Sequence, residues 1–84
     1  MLKVEFSSKS RKFLKKIDDE TWRRLIEKIE RLQKDPFHSD LKRVVGRKEK
    51  TFRIRVGNYR ILYVVFLDRN LLFISNIDKR SKVY

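Results

Sequence analysis

The stretch formed by residues 51–63, TFRIRVGNYRILY, constrains the fold of this chain more than any other segment. Two runs of alternating apolar and polar residues flank Gly57-Asn58, a pair typical of a two-residue hairpin loop because both residues tolerate positive φ. Such a short loop determines the register, so Arg55 should lie opposite Arg60 on two antiparallel strands. The sequence therefore predicts a β-hairpin with one apolar face and one face that carries Arg53, Arg55 and Arg60.

The predicted arginine pair also suggests a function. Two like charges directly opposite each other destabilise a sheet. An arrangement that costs stability in the empty protein indicates that an anion binds there, and the rigid donor fork of arginine suits phosphate. Two structural alternatives remain open. Arg53 and Arg55 could simply protect an edge strand from aggregation, and Arg60 could pair with a carboxylate such as that of Asp78.

The positive charge of the chain is clustered. The formal net charge is +12, and residues 41–60 carry eight Lys/Arg against one acidic residue, while residues 79–84 carry three and none. A clustered basic surface is typical of proteins that bind polyanions. We therefore favour nucleic acid as the partner over an anionic membrane, or over basicity that serves only solubility.

Several function classes are disfavoured by composition. The chain has no cysteine and one histidine, which excludes disulfides, thiolate metal sites and histidine-rich metal sites. We expect no metal and no small-molecule cofactor. No segment approaches the roughly 20 apolar residues that span a bilayer, and the N-terminus lacks the apolar stretch of a signal peptide. A cytoplasmic protein without membrane contact is expected, folded as a single domain over residues 1–84.

The hydrophobic periodicity predicts an α+β fold. Residues 2–6 alternate as a strand, residues 7–17 form a short helix, and Asp19–Lys34 forms a second helix whose apolar stripe begins at Trp22. Strands follow at Thr51–Val56, Tyr59–Phe66 and residues 71–77, while residues 36–50 form a loop or a ragged edge strand. The predicted order is β-α-α-β-β-β. An N-terminal helical hairpin then packs on one face of a mainly antiparallel four-stranded sheet.

Other basic residues are expected near the arginine pair. Antiparallel strands place the start of one strand near the end of the next, so Lys79 and Arg80 should lie close to Arg60. The polar run at residues 46–50 flanks the arginine strands, so Lys48 and Lys50 are candidates for phosphate contact. The alternative for that run is an ordinary solvated turn.

The segments LKRVVGRKEKTFRIRVGNYRILYVV and DKRSKVY together resemble the RelE/ParE superfamily of bacterial and archaeal toxins. Residues 53–63 are similar to that family's R-x-R-x-G-x-Y-R-h-x-Y strand pair. The N-terminal VEFSSKSRKFLKKI is similar to its strand-to-helix opening, so the resemblance covers essentially the whole chain. It implies the toxin of a type II toxin–antitoxin system whose partner is a cognate acidic antitoxin of the RelB kind. We expect that antitoxin to insert a helix along an exposed groove of the toxin.

The RelE branch of the family implies a ribosome-dependent mRNA endoribonuclease, with the ribosome and mRNA as partners. The ribose 2′-OH would attack the adjacent phosphate without a metal. This resemblance assigns Arg60 to the charged phosphorane, and Arg53 and Arg55 to the places of two strand lysines. It assigns Arg80 to the leaving group, with Lys79 as the alternative. The implied catalytic set is Arg55, Arg60 and Arg80, and the implied RNA-binding set is Arg53, Lys48, Lys50, Lys79, Lys82 and Tyr84, the last stacking on a base.

One departure from the family changes the expected chemistry. Arginine at Arg55 is a poor general base because a guanidinium group has no tendency to give up its proton near neutral pH. We therefore expect strong electrostatic stabilisation, weak acid–base catalysis and dependence on the ribosome for substrate positioning. Tyr84 could instead belong to a disordered terminus. Two other functions stay open, namely a ParE-like inhibitor of DNA gyrase and a non-catalytic basic RNA-binding module.

Overall fold

The computed structural model describes residues 1–37, 42–44, 46 and 50–79. Strand β1 (Lys3–Phe6) leads into two helices, α1 (Ser8–Lys16) and α2 (Asp19–Lys34). Four strands follow, which are β2 (Lys42–Val44), β3 (Thr51–Val56), β4 (Tyr59–Phe66) and β5 (Leu71–Lys79), with a short 3-10 turn at Leu67–Arg69. The predicted α+β class and the two consecutive N-terminal helices are confirmed.

The sheet has five strands in the order β1-β5-β4-β3-β2, so the prediction of four strands is wrong. The additional strand is β2, which pairs antiparallel with β3 at one edge of the sheet. A three-residue strand is too short to show an alternating pattern in the sequence. Strand β1 runs parallel to β5, and the other neighbouring pairs are antiparallel.

Side-chain caps define where the two helices begin. The Ser7 hydroxyl accepts a hydrogen bond from the Ser10 backbone N–H at 3.0 Å at the start of α1. Asp18 caps α2, where it accepts a 2.6 Å hydrogen bond from the Thr21 hydroxyl and a second one from the Thr21 backbone N–H. These bonds favour the ionised carboxylate and lower the pKa of Asp18. Two residues after α2, Pro36 prevents the helix from continuing.

The core lies between α2 and one face of the sheet. Leu25, Ile29 and Leu32 of α2 are buried, as are their partners on the strands, Ile54, Ile61, Tyr63, Leu72, Ile74 and Ile77. Burying a side chain of this kind stabilises the fold by about 1.5–3 kcal/mol. The predicted stripe starts one turn too early, because the Trp22 side chain remains 45% exposed.

The central hairpin has the predicted register. Arg55 lies opposite Arg60, and Ile54 lies opposite Ile61. Gly57 in the turn has φ +59°, and a Cβ atom there would lie 2.8 Å from Nη2 of Arg24 in α2. The left-handed backbone favours glycine at this position. The nearby atom is the end of an exposed, flexible arginine side chain, which could move aside, so the backbone conformation is the stronger constraint.

Tyr63 connects the segment after α2 to the central strand β4. Its side chain is fully buried, and its hydroxyl donates a 2.8 Å hydrogen bond to the Pro36 carbonyl. Its ring contacts Phe52, which in turn contacts Phe37. Burial, and then the negative charge of Asp35, raise the pKa of Tyr63 to about 12.

This raised pKa predicts that alkaline pH destabilises the fold through Tyr63. Because the folded-state pKa lies above the ordinary value of 10, the stabilisation is complete below pH 10 and is lost as the pH rises towards 12. Urea unfolding of the wild type and of Tyr63→Phe should be compared across this range. The wild type should lose stability relative to the variant by at most about 1.4 kcal/mol per pH unit. Parallel pH profiles for the two proteins would contradict this assignment.

Candidate nucleic-acid interface

Three arginines lie on the face of the sheet that α1 and α2 leave uncovered. Arg53 and Arg55 of β3 and Arg60 of β4 alternate with the buried residues Ile54 and Ile61, so they point to the opposite side. Arg53 and Arg55 are exposed, and Arg60 is half-buried. We refer to Arg53, Arg55 and Arg60 as the arginine face.

A fourth basic side chain, that of Lys42, lies on the same face of the sheet as the arginines. Lys42 of β2 lies directly opposite Arg53, and directly opposite residues share a face of an antiparallel pair. Sequence reasoning missed Lys42 because residues 36–50 were interpreted as either a loop or a ragged edge strand, without a register that would place this residue. The basic residues at 42 and 43 are the signal in the sequence that could have drawn attention to it.

Asp78 of β5 lies opposite Arg60 and pairs with it. The Arg60 Nε donates to Asp78 Oδ1 at 3.2 Å, and Nη2 donates to Oδ2 at 3.5 Å. The ion pair between Arg60 and Asp78 that the sequence allowed is therefore present, and the carboxylate offsets part of the Arg60 charge. Both side chains stay more than one-third exposed, at 35% and 39%, so the pair orients the guanidinium but adds little stability. Within the described part of the chain, Nη1 of Arg60 makes no hydrogen bond.

Asn76 holds Asp78 from a second direction. The Asn76 side-chain N–H donates to Asp78 Oδ2 at 3.3 Å. Its own Oδ1 atom is buried and finds no donor among the residues that the structure describes. An unsatisfied buried acceptor costs about 1–3 kcal/mol. Asn76 and Arg60 together determine where the Asp78 carboxylate lies.

A bulge in β5 decides which side chains reach the arginine face. Leu62 lies opposite Asn76 whereas Tyr63 lies opposite Ile74, so Ser75 is an extra residue in the strand. The Ser75 hydroxyl donates to the Leu62 carbonyl at 3.2 Å. Because one extra residue reverses the alternation that follows, Asp78 joins Arg60.

The same bulge separates Lys79 from the arginines. Lys79 lies opposite Tyr59, on the side of the sheet that faces the helices. Lys79 therefore lies at the same end of the sheet as Arg60, as expected, but on the opposite face. Lys50 is exposed and directly precedes β3. Arg80, Lys48, Lys82 and Tyr84 lie outside the described residues.

The chemistry available on this face is electrostatic. The face carries four cationic side chains, and Asp78 is the carboxylate that pairs with one of them, Arg60. The four cations are Lys42, Arg53, Arg55 and Arg60. No group of three or more His, Asp or Glu side chains that could hold a metal lies within the described ranges. None of the helices described is long and apolar enough to cross a membrane. The arrangement can bind and stabilise a phosphate group.

Comparison with known proteins identifies the family. The matching family model describes the ParE toxin of type II toxin–antitoxin systems and covers residues 4–84. Over 84 residues the chain is 32% identical to "Putative toxin RelE1" of Methanocaldococcus jannaschii, with coverage of 96% of this chain and 92% of that protein.

Solved structures share the fold. RelE in the RelE–RelB complex of Pyrococcus horikoshii OT3 is 22% identical with a TM-score of 0.83, covering 98% of both chains. The toxin–antitoxin complex RelBE2 of Mycobacterium tuberculosis matches at 26% identity and a TM-score of 0.78, covering 94% of this chain and 98% of that one. Because the family model and the relative both span nearly the entire sequence, this chain belongs to the RelE/ParE superfamily of type II toxin–antitoxin toxins.

Proposed function

We propose that this toxin is a ribosome-dependent mRNA endoribonuclease of the RelE kind. The observation that carries the proposal is the gathering of Lys42, Arg53, Arg55 and Arg60 on one uncovered face of the sheet. Like charges this close are unfavourable without an anion between or above them. An RNA phosphodiester supplies that anion, and the similarity to RelE1 supports RNA as its source.

The proposed reaction is an intramolecular transesterification. The ribose 2′-oxygen bonds to the adjacent phosphorus, the bond from phosphorus to the 5′-oxygen breaks, and the products are a 2′,3′-cyclic phosphate and a 5′-OH. The 2′-OH proton leaves to a base, and the departing oxygen gains a proton. Arg55 and Arg60 stabilise the charge that builds up on the phosphorane oxygens. The pair with Asp78 keeps one edge of the Arg60 guanidinium directed away from the carboxylate.

Proton transfer is the weak part of this site. Arg55 cannot act as a base near neutral pH, so the rate depends on how well the substrate is aligned. Positioning by the ribosome can supply about 7–11 kcal/mol of barrier reduction. By resemblance, we assign Arg80 to the leaving group and Tyr84 to base stacking. Lys48, Lys50, Lys79 and Lys82 remain proposed backbone contacts.

The proposed partner that controls the toxin is an acidic antitoxin. Solved relatives of this chain occur in complexes with RelB-type antitoxins. A net charge of +12 favours rapid association with an acidic chain through electrostatic steering. We propose that an antitoxin helix lies along an exposed groove and blocks access to the arginine face. The ribosomal target implies a cytoplasmic location.

Inhibition of DNA gyrase is the second candidate, because the matching family model is named for ParE. The two functions separate in parallel assays of programmed ribosomes and of gyrase supercoiling. We expect the purified protein to cut mRNA in the ribosomal A site and to leave supercoiling unchanged. Intact mRNA together with blocked supercoiling would support inhibition of DNA gyrase. Salt-dependent RNA binding with neither effect would indicate a non-catalytic RNA-binding module.

A further inference from the structure

Helix α1 presents a row of lysines that the proposed reaction does not use. Lys9, Lys12 and Lys16 are exposed and line a groove of about 320 Å³ between α1 and the end of β5. Their spacing of three and four residues places them on one side of the helix. We call this feature the lysine groove, defined by Lys9, Lys12 and Lys16 on α1 and residues 76–78 on β5.

Among the described residues that line the groove, three are lysines and one is acidic, Asp78, which is already paired with Arg60. Helix α1 has the sequence SKSRKFLKK, which contains no acidic residue. The Arg60–Asp78 pair is the one ion pair within the part of the chain that the structure describes. The three lysines of the groove therefore have no carboxylate partner there, and the groove is suited to a ligand with several negative charges.

The groove exists because β1 covers only the first half of β5. The last partner of β1 on that strand is Ile74. The Ser7 hydroxyl donates to the Ser75 carbonyl at 2.8 Å, and the Ser10 hydroxyl donates to the Ile74 carbonyl at 3.1 Å. These bonds fasten the start of α1 to β5, and the groove opens beyond them.

The groove adjoins the arginine face at Asp78, which pairs with Arg60 and also lines the groove. Arg55, Arg60 and Asp78 lie opposite one another on three neighbouring strands. At about 4.8 Å between strands, this row runs about 10 Å across the sheet towards the edge of β5. Because α1 lies on the other side of the sheet, a strand of RNA that follows this row would reach the lysine groove by passing around the part of β5 that β1 does not pair with.

We propose that the lysine groove is a second RNA-binding subsite, which holds phosphates of nucleotides that flank the one bound at the arginine face. This inference rests on the proposed function, because it takes RNA as the ligand of the arginines. The lysines act as point charges along the backbone. Phe13 and Ile77 provide an apolar floor for sugar or base. Continuity with the arginine row favours RNA over an acidic peptide.

Neutralising the groove tests this proposal. The groove triple is Lys9→Gln, Lys12→Gln and Lys16→Gln. The matched control is Lys15→Gln, Arg23→Gln and Lys34→Gln, which removes the same charge from exposed helix positions outside the groove. Glutamine maintains helix propensity. The probes are fluorescent 2′-O-methyl RNAs, which cannot be cleaved, of three and about twelve nucleotides. Anisotropy titrations span salt concentrations from about 0.05 to 0.4 M.

For the longer RNA, the groove triple should lower the magnitude of the slope of log K against log salt by about 2, while binding of the trinucleotide stays unchanged. The control triple should change the slope by less than about 0.5. An equal reduction by both triples would overturn the proposal. An unchanged RNA slope with weaker binding of a poly-glutamate peptide would also overturn it and assign the groove to an acidic peptide. Absence of RNA binding by the wild type would overturn the groove proposal as well. The proposed function fails separately, if mRNA in programmed ribosomes stays intact in the presence of the wild-type protein.

Discussion

Replacing Arg60 with alanine should lower mRNA cleavage in programmed ribosomes by at least about 100-fold, as expected when a donor that stabilises transition-state charge is removed. Arg60 stands between Arg55 and Asp78 in the row of charges across the sheet. Its pair with Asp78 is partly exposed, so its loss should change the free energy of unfolding by no more than about 1 kcal/mol. Primer extension measures the cleavage, and thermal unfolding checks the fold.

Three further variants test whether the loss of cleavage comes from the missing Arg60 guanidinium itself. Arg60→Lys retains the charge but loses the donor fork, so intermediate activity is expected. The double variant Arg60→Ala with Asp78→Ala should stay inactive, because the defect comes from the missing guanidinium and not from an unpaired carboxylate. Arg69→Ala removes an exposed arginine at the opposite end of β4 and should retain full activity. Full activity of Arg60→Ala would remove Arg60 from the site.

Replacing Ile61 with alanine should lower the free energy of unfolding by about 2–5 kcal/mol, the usual cost of a large-to-small change in a core. Ile61 has 0% exposure on the central strand β4. Its direct neighbours across the sheet, Ile54 and Ile77, are also buried. A cavity at this point removes part of the packing around both neighbours. Urea unfolding followed by circular dichroism measures the loss.

Leu67→Ala provides the matched control for the core. Leu67 lies in the 3-10 turn between β4 and β5, and its side chain is 66% exposed. A surface change of this kind should alter the unfolding free energy by no more than about 0.5 kcal/mol. Comparable losses for Ile61→Ala and Leu67→Ala would show that the core does not lie where the structure places it.

The central hairpin could be predicted from sequence because its constraint is local. A two-residue turn at Gly57 determines the register, and the register places Arg55 opposite Arg60. The helices were also predictable, since their caps and apolar periods lie within each segment. The start of the buried stripe of α2 could not be predicted in the same way, because the exposure of Trp22 depends on where α2 meets the sheet.

The rest of the site depends on non-local geometry. Ser75 forms a bulge that no periodicity reveals, and this extra residue brings Asp78 rather than Lys79 to the arginine face. Lys42 joins the face only because β2 adds to the sheet edge. The lysines of α1 look like an ordinary solvated helix surface in the sequence, and the groove that they line exists because α1 lies beside the part of β5 that β1 does not pair with.

The most direct test of the central claim, that the arginine face binds and activates an RNA phosphodiester, uses mRNA with one 2′-deoxynucleotide. Programmed ribosomes would carry either normal mRNA or mRNA with the deoxynucleotide immediately 5′ of the cut. Cleavage of the normal mRNA should leave a 2′,3′-cyclic phosphate and a 5′-OH, and the deoxy substitution should abolish cleavage. Unaffected cutting at the deoxynucleotide, or intact normal mRNA, would contradict the account.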